Sequence, residues 1–361
     1  MLYYGVMKLI IDGRWVRTDY HDGISRYTAG LVRGFVENSL PVTVLIHDEQ
    51  QRMMLPAGVD FLVVNNPISW REVFLARRLN RFGADVVFSP LQVMGFWGRK
   101  YKLILTLQDI IYYKHPTPPH SLAWYVRLVW RLFHMARWPQ RLLLNKADHV
   151  VTVSETSKKY IQDFHLTDRR ITVVYNAPSD TAVSTTPAAM TKNIIYMGSF
   201  MPYKNVETLV RGMNILPSDY TLHLLSKITP DRQAELQSLA SNAESIVFHN
   251  GVSDDEYITL LASAHCLATA TKEEGFGLPI TEAQRLGVPV VCSDLPVLHE
   301  VAGSGALYFD ADNADGFAAA VGRLEEEDFR RSVALAGQEQ AARFSWKNSA
   351  MVLYEAAKRL M

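Results

Sequence analysis

Two glutamates, Glu274 and Glu282, flank a Gly-Phe-Gly-Leu-Pro turn in TKEEGFGLPITEAQRLGVPVVCSD, residues 271–294. Carboxylates accept hydrogen bonds well from sugar hydroxyls. Between them, Gly275 and Gly277 let the backbone approach a ligand closely. Pro279 suits the first turn of a helix that runs to Arg285 and ends at Gly287. The N–H groups of Phe276, Gly277 and Leu278 then lie where a helix N-terminus attracts phosphate. The stretch reads as an anion cradle with a carboxylate on each side, suited to a diphosphate flanked by hydroxyl-bearing groups. The plain alternative is a capped surface helix with two solvated glutamates, the usual fate of acidic side chains.

Such a cradle needs strands to hold it, and the chain supplies them in two sets. The first is MKLIID, VTVLI, FLVV, DVVFS, KLILTL and DHVVTVS; the second is NIIYMG, YTLHLL, SIVFHN, HCLATA, VPVVCS and ALYFD. Short β-branched runs alternating with longer amphipathic stretches predict parallel strands joined by crossover helices. The cradle follows HCLATA directly. Between the sets, YNAPSDTAVSTTPAAMTKN (residues 175–193) has no sustained period and reads as an interdomain linker. Two doubly wound α/β domains are therefore expected. Such sheets bind ligands beyond the carboxyl ends of their strands, so two of them facing each other would enclose a cleft.

The bulk composition agrees. The 361 residues suit about two domains, and 48% hydrophobic with 20% charged residues is an ordinary globular balance. Basic and acidic residues are equal at 37 each, which removes the global field a nucleic-acid partner would need. Cys266 and Cys292 lie in apolar strand-like runs and read as small buried hydrophobes, compatible with a reducing cytoplasm. No apolar run approaches the roughly 18 residues of a spanning helix, and MLYYGVMKLII lacks a signal peptide's basic start and cleavage site. Met7 is an alternative start, because the first strand begins there.

Glu-Gly-Phe-Gly-Leu-Pro, then Glu282, then Gly-Val-Pro-Val-Val resembles the donor-site signature of family 4 glycosyltransferases. That resemblance implies a GT-B fold: two Rossmann-like doubly wound domains facing a central cleft, the second holding a nucleotide-sugar donor and the first the acceptor. It also implies retention of anomeric configuration. Glu274 would then contact the donor sugar and Glu282 the ribose. The implied division is an acceptor-side domain over 1–177, a linker over 178–193, a donor domain over 194–345 and a final helix over 346–361 packing back toward the first domain, with Trp346 as a packing anchor.

Other segments match in order. YMGSFMPYKNVETLV (residues 196–210) resembles the strand, loop and helix whose lysine binds the donor diphosphate, which places Gly198, Ser199 and Lys204 at the donor. A lysine there would stabilise the charge that grows on the leaving group. The alternative for Lys204 is a solvated helix N-terminus. Relatives often carry a second cation here, but this chain has Ser199 and Tyr203 instead. Gly23 in DYHDGISRYTAGLV matches the family's glycine turn before the first helix, where phosphate-facing backbone logic repeats, or it is an ordinary turn. In LTLQDIIYYKHP, Gln108 stands where many relatives have His, which leaves no titrating group at that place; Asp109 would bind an acceptor hydroxyl or cap the following turn.

Residues 121–147 place Trp124, Tyr125, Trp130, Phe133 and Trp138 among Arg127, Arg131, Arg137, Arg141 and Lys146. A helix so composed can lie on an anionic membrane, or cover the first sheet as core, or do one with each face. The resulting expectation is a metal-independent, cytoplasmic, retaining hexosyltransferase, peripheral at the inner face of the plasma membrane, with mannose favoured by resemblance. It needs no cofactor beyond the nucleoside-diphosphate sugar as co-substrate and moves the sugar to a glycan or lipid-linked glycan of the cell surface. Catalysis would rest on Glu274, Lys204 and Asp109. A nucleotide-sugar hydrolase or epimerase would use the same donor site, and a silent sugar-binding subunit would have less need of Lys204, Glu274 and Glu282. A nicotinamide dehydrogenase is disfavoured, because IIDGRWVRTDYHDG stands where Gly-x-Gly-x-x-Gly would follow the first strand.

Overall fold

The computed structural model describes residues 7–116, 124–178 and 191–361. They form two compact units: one takes the chain through Ala177 and again from Phe344 to Met361, the other spans Pro178–Arg343. The expected linker lies mostly outside the described residues, at 179–190.

The first unit is a seven-stranded sheet ordered β3-β2-β1-β4-β5-β6-β7. Its strands are β1 (Leu9–Asp12), β2 (Thr43–Ile46), β3 (Asp60–Val63), β4 (Val86–Ser89), β5 (Lys102–Thr106), β6 (His149–Thr152) and β7 (Ile171–Val173). The second is a six-stranded sheet ordered β10-β9-β8-β11-β12-β13. Its strands are β8 (Asn193–Tyr196), β9 (Thr221–Leu224), β10 (Ile246–Phe248), β11 (Cys266–Thr269), β12 (Val290–Ser293) and β13 (Ala306–Phe309). All pairings are parallel. Each predicted run is a strand. Central strands such as β1, β2 and β4 are buried along their whole length, the pattern of parallel strands covered on both faces, whereas edge strand β3 is partly exposed.

Strand order reverses between β1 and β4 in one sheet and between β8 and β11 in the other. Loops leaving the carboxyl ends at such a reversal splay apart and leave a crevice, which is where doubly wound sheets bind ligands. Each unit has its own apolar core, one around Ile10, Leu79, Val87 and Leu103, the other around Ile194, Leu209, Leu222 and Phe317. Cys266 and Cys292 are free and buried, and burial pushes both thiols far above their ordinary range, so neither is a reactive thiolate.

The final helix, Trp346–Lys358, packs on the first, Gly23–Glu37. Small residues make the contact possible. A Cβ on Gly30 would lie 2.2 Å from the Trp346 ring, and one on Gly34 would lie 2.1 Å from the Trp346 carbonyl oxygen. Trp346 is buried and sets its ring edge against Tyr27, with centroids 6.1 Å apart. The Asn38 amide donates to the Lys347 carbonyl at 2.8 Å, and the Ser349 hydroxyl to the Tyr175 carbonyl at 2.8 Å.

The stretch 121–147 departs from a single helix. It forms Trp124–Met135 and Trp138–Leu144, with 121–123 outside the described residues. Pro139 explains the break: it has no N–H to donate and is accommodated in a first turn, so a new helix starts around it.

Candidate functional site

Lys204 and Glu274 meet at the reversal between β8 and β11. The chain leaves β8 through Gly198 and Ser199 into a short 3-10 turn, Pro202–Lys204, and Asn205 then takes a left-handed conformation (φ +50) before helix Val206–Met213. The Asn205 amide donates to the Ala311 carbonyl at 2.6 Å, which fixes that bend. The loop after β11 is stitched to this turn by the Lys272 N–H, which donates to the Tyr203 carbonyl at 2.7 Å. Thr271, fully buried, donates to the Glu273 carbonyl at 2.7 Å, and Ser293 donates to the Thr271 carbonyl at 2.6 Å. These bonds bring the Lys204 ammonium to 2.5 Å from Glu274 Oε2, with the side chains 15% and 19% exposed. A charge pair this shielded from water is stronger than a surface pair and still open to a ligand.

Gly198 and Ser199 owe their shape to Tyr196. A Cβ on Gly198 would lie 2.9 Å from the Tyr196 hydroxyl oxygen, and that hydroxyl donates to the Ser199 carbonyl at 2.6 Å. Burial first, then the nearby negative charge of Glu274, pushes the Tyr196 phenol well above its ordinary range, so it remains a neutral donor. The Gly198 N–H donates to Ser226 Oγ at 3.3 Å.

After Glu274 the backbone passes Gly275 and buried Phe276 to Gly277, whose φ of +93 precedes helix Leu278–Arg285. A side chain at 277 would be strained in that conformation and would meet Ile280 at 3.2 Å, so glycine is required there. Gly275 has no positive φ. Pro279 sits in the first turn and Gly287 (φ +71) follows the helix end; a Cβ on Gly277 would lie 3.7 Å from Glu274 Cγ, so the helix starts beside Glu274. Glu282 lies one turn into the helix and is 6% exposed, not solvated as the surface-helix alternative has it, and its Oε2 accepts the Tyr257 hydroxyl at 2.9 Å. Tyr257, on helix Asp254–Ala262, was not singled out by the sequence; a buried aromatic with a polar tip opposite a buried acid is visible only once the helices are packed.

The remaining predicted residues lie in the first unit. Gly23 is the first residue of its helix, with open space where a Cβ would go and no positive φ. The Asp22 carboxylate caps that helix by accepting from the Ser25 N–H at 2.9 Å and pairs with Arg17 at 2.6 Å, so the N-terminus is served by the chain's own anion. The crowded glycine after β1 is Gly13, where a Cβ would fall 2.6 Å from Val44. Gln108 donates its side-chain amide to the Pro90 carbonyl at 3.3 Å, and its own carbonyl accepts from Thr152 at 3.3 Å. Asp109 Oδ1 accepts from the Ile111 N–H at 2.9 Å and so caps the turn Ile111–Lys114.

Sequence reasoning also missed a buried charge cluster at the carboxyl end of β1. Arg14, 2% exposed, pairs with Asp12 at 2.7 Å and Glu72 at 2.6 Å. Burial works to raise the Glu72 carboxyl, but the Arg14 guanidinium, the Gly95 N–H and the Asn65 amide outweigh it and hold the group below the usual carboxylate range. The signal was Asp-Gly-Arg directly after an apolar strand, where a charged pair has to be buried or satisfied at once.

In the helical stretch 124–144, Trp124 and Trp138 are exposed, while Trp130 sets its ring edge on Tyr112 with centroids 4.8 Å apart. Arg137 stacks over Phe164, 4.4 Å from the ring centroid, and Arg141 pairs with Asp168 at 2.7 Å. The Tyr125 side chain lies outside the described ones. No helix among the described residues is long and apolar enough to cross a membrane.

Comparisons with known proteins identify the family. Residues 182–344 match the family model "Glycosyl transferases group 1" and residues 21–178 match "Glycosyltransferase Family 4". The chain is 28% identical over 198 residues to the O-antigen chain mannosyltransferase RfbU of Salmonella typhimurium, covering 53% of this chain and 54% of that protein. It is 30% identical over 236 residues to O-antigen chain mannosyltransferase B of Escherichia coli, covering 60% and 62%. The chain thus spans between half and two thirds of the length of these relatives. Among solved structures it is similar in fold to sucrose-phosphate synthase from Thermosynechococcus elongatus (TM-score 0.75, 17% identity, 98% of this chain and 99% of that one). It is likewise similar to Anabaena HepE in complex with UDP-glucose (TM-score 0.73, 15% identity, 98% and 100%). With one model matching each parallel-sheet unit, the chain belongs to the group 1, family 4 glycosyltransferases of GT-B fold.

Proposed function

We propose that this chain is a retaining hexosyltransferase that moves a sugar, with mannose favoured, from a nucleoside-diphosphate donor to a hydroxyl of a glycan or lipid-linked glycan in cell-surface polysaccharide synthesis. The observation that carries the reading is the Lys204–Glu274 pair at the β8/β11 reversal, set beside a helix N-terminus that needs glycine at 277. A donor diphosphate would draw Lys204 from Glu274 and leave the Glu274 carboxylate to accept a sugar hydroxyl. The bond from the anomeric carbon to the phosphate oxygen breaks while the acceptor oxygen bonds to the same face, and the acceptor proton passes to the departing phosphate. Lys204 and the helix N–H groups stabilise the charge that develops on that phosphate. Glu282 supports the ribose from a buried position braced by Tyr257, and Asp109 serves the acceptor hydroxyl. The charge on the diphosphate is met by these groups without a metal ion.

Relatives named as mannosyltransferases support mannose, and a fold neighbour solved with UDP-glucose supports a nucleotide-sugar donor. The reading also has the enzyme act from the cytoplasmic side, peripheral to the membrane. A panel of nucleotide sugars scored by thermal shift and by slow donor hydrolysis tests it. One sugar should stand out in both assays; no stabilisation by any of them would remove the donor assignment.

A further inference from the structure

A second surface of the first unit has chemistry that sugar transfer does not use. The turn 66–74 and the loop 91–98 meet at Glu72, whose Oε1 accepts the Gly95 N–H at 2.8 Å. Gly95 has no room for a side chain there, because a Cβ would lie 2.2 Å from the Glu72 carbonyl oxygen. Around this junction opens a cavity of about 540 Å³ walled by Val73, Val93, Phe96, Trp97, Leu105 and Leu143. Its rim is exposed and apolar: Ile68 is 84% exposed, Trp70 74% and Trp97 69%. Leu143 belongs to helix Trp138–Leu144, which therefore borders the same cavity.

The polar groups point to one kind of partner. Glu72 lines the cavity, but its oxygens already accept from Arg14 at 2.6 and 3.0 Å, Asn65 at 2.7 Å and Gly95 at 2.8 Å, so it has little capacity left for a sugar hydroxyl. The charges of the segment that carries Glu72 and Val73 are positive. Residues 66–82 carry Arg71, Arg77, Arg78 and Arg81 against Glu72 alone. Arg71 lies over the Trp70 ring at 5.9 Å and Arg77 over Phe74 at 5.7 Å, so cations and aromatic faces are presented together. Aromatics beside arginines, around a mainly apolar recess whose uncharged polar lining is Trp15 and Gln92, match the interfacial layer of a bilayer whose headgroups are anionic.

We propose that this face, built from the turn 66–74 and the loop 91–98, seats the protein on an anionic lipid bilayer, with Trp70 and Trp97 entering the headgroup layer and the arginines meeting lipid phosphate. It deepens the membrane part of the proposed function and moves its centre away from residues 121–147. Its test needs neither donor nor acceptor, so it stands or falls separately from the donor assignment.

The full chain is to be sedimented with phosphatidylcholine vesicles with and without phosphatidylglycerol, and its tryptophan emission quenched with brominated lipid. The wild type should bind the phosphatidylglycerol vesicles and let go as salt rises. Trp70→Ser with Trp97→Ser, and separately Arg71→Glu with Arg77→Glu, should each weaken binding by at least about tenfold, and the tryptophan pair should also remove most of the quenching. These side chains are exposed, so circular dichroism should be unchanged. The proposal is overturned if the wild type binds no vesicles, or if both variants bind like wild type, whether or not charge reversal at Arg127, Arg131 and Arg137 releases the protein. It is also overturned if the tryptophan pair abolishes binding of a soluble glycan while vesicles are ignored, because the face would then be a sugar platform.

Discussion

Glu274 holds the Lys204 ammonium at 2.5 Å, and both come from loops that leave adjacent parallel strands at the point where strand order reverses. Each group is thus stored by the other in a partly dry place, and in the proposed mechanism a diphosphate would compete with Glu274 for the lysine. Lys204→Ala should lower turnover by more than about tenfold, the equivalent of roughly 1.4 kcal/mol from one charge-assisted contact. Glu274→Ala should abolish transfer with the fold retained by circular dichroism, since the residue lies on a loop. Near-wild-type turnover in either variant would place the diphosphate elsewhere.

Tyr257 braces Glu282, so with Glu282 in its proposed role part of donor binding would depend on a residue with no place in the signature motif. Tyr257→Phe leaves a buried carboxylate short of one donor, which costs about 1–3 kcal/mol. The melting temperature should fall, and donor KM should rise more than kcat drops. Glu282→Gln, which can still accept from Tyr257, should lose less stability than Glu282→Ala. Equal stability losses in those two variants would show that the Tyr257 bond does not matter.

Strands were legible because a parallel strand covered on both faces needs a continuous apolar run, and runs such as TVLI and VVFS cannot be solvated. The glycine turn was legible for a related reason: Gly277 occupies a conformation that the side chains of other residues rarely adopt. What the sequence could not convey was pairing across distance. Lys204 and Glu274 are seventy residues apart, Tyr257 and Glu282 twenty-five, and Arg14 and Glu72 fifty-eight. Gly23 could not be assigned from sequence, because a Gly before a helix looks the same whether the helix end faces a ligand or is only capped, as Asp22 caps it here.

Three histidines held below their ordinary range by burial, His149, His223 and His265, make stability depend on pH. Burial, then the positive charges of Arg170 and Arg359, lowers His149 to about 4 from an ordinary 6.5, and burial with His249 nearby lowers His223 to about 4 as well. The unfolded chain therefore binds more protons than the folded one between about pH 4 and 6.5, so stability rises with pH across that window and is lost as pH falls through it. Denaturant midpoints should drop from pH 7 to pH 4.5. His149→Gln, which keeps a partner for Thr172, should flatten the slope; an unchanged slope would mean that His149 already titrates normally.

The contact between the first and last helices offers a prediction whose two halves should behave differently. Gly30 and Gly34 face Trp346, where alanine would ordinarily gain up to about 1 kcal/mol in helix propensity. Here the added methyl has no room, so each Gly→Ala should instead destabilise by about 1–3 kcal/mol or more. The obstacle differs at the two positions: at Gly30 it is the Trp346 ring, at 2.2 Å, and at Gly34 the Trp346 backbone carbonyl, at 2.1 Å. Trp346→Leu removes the ring but not the carbonyl. Combined with Gly30→Ala it should cost less than the sum of the two single changes, and combined with Gly34→Ala it should be close to additive. Chemical denaturation of the three single variants and the two pairs measures both sums. Additivity at both positions would mean that the Trp346 side chain does not set the helix spacing.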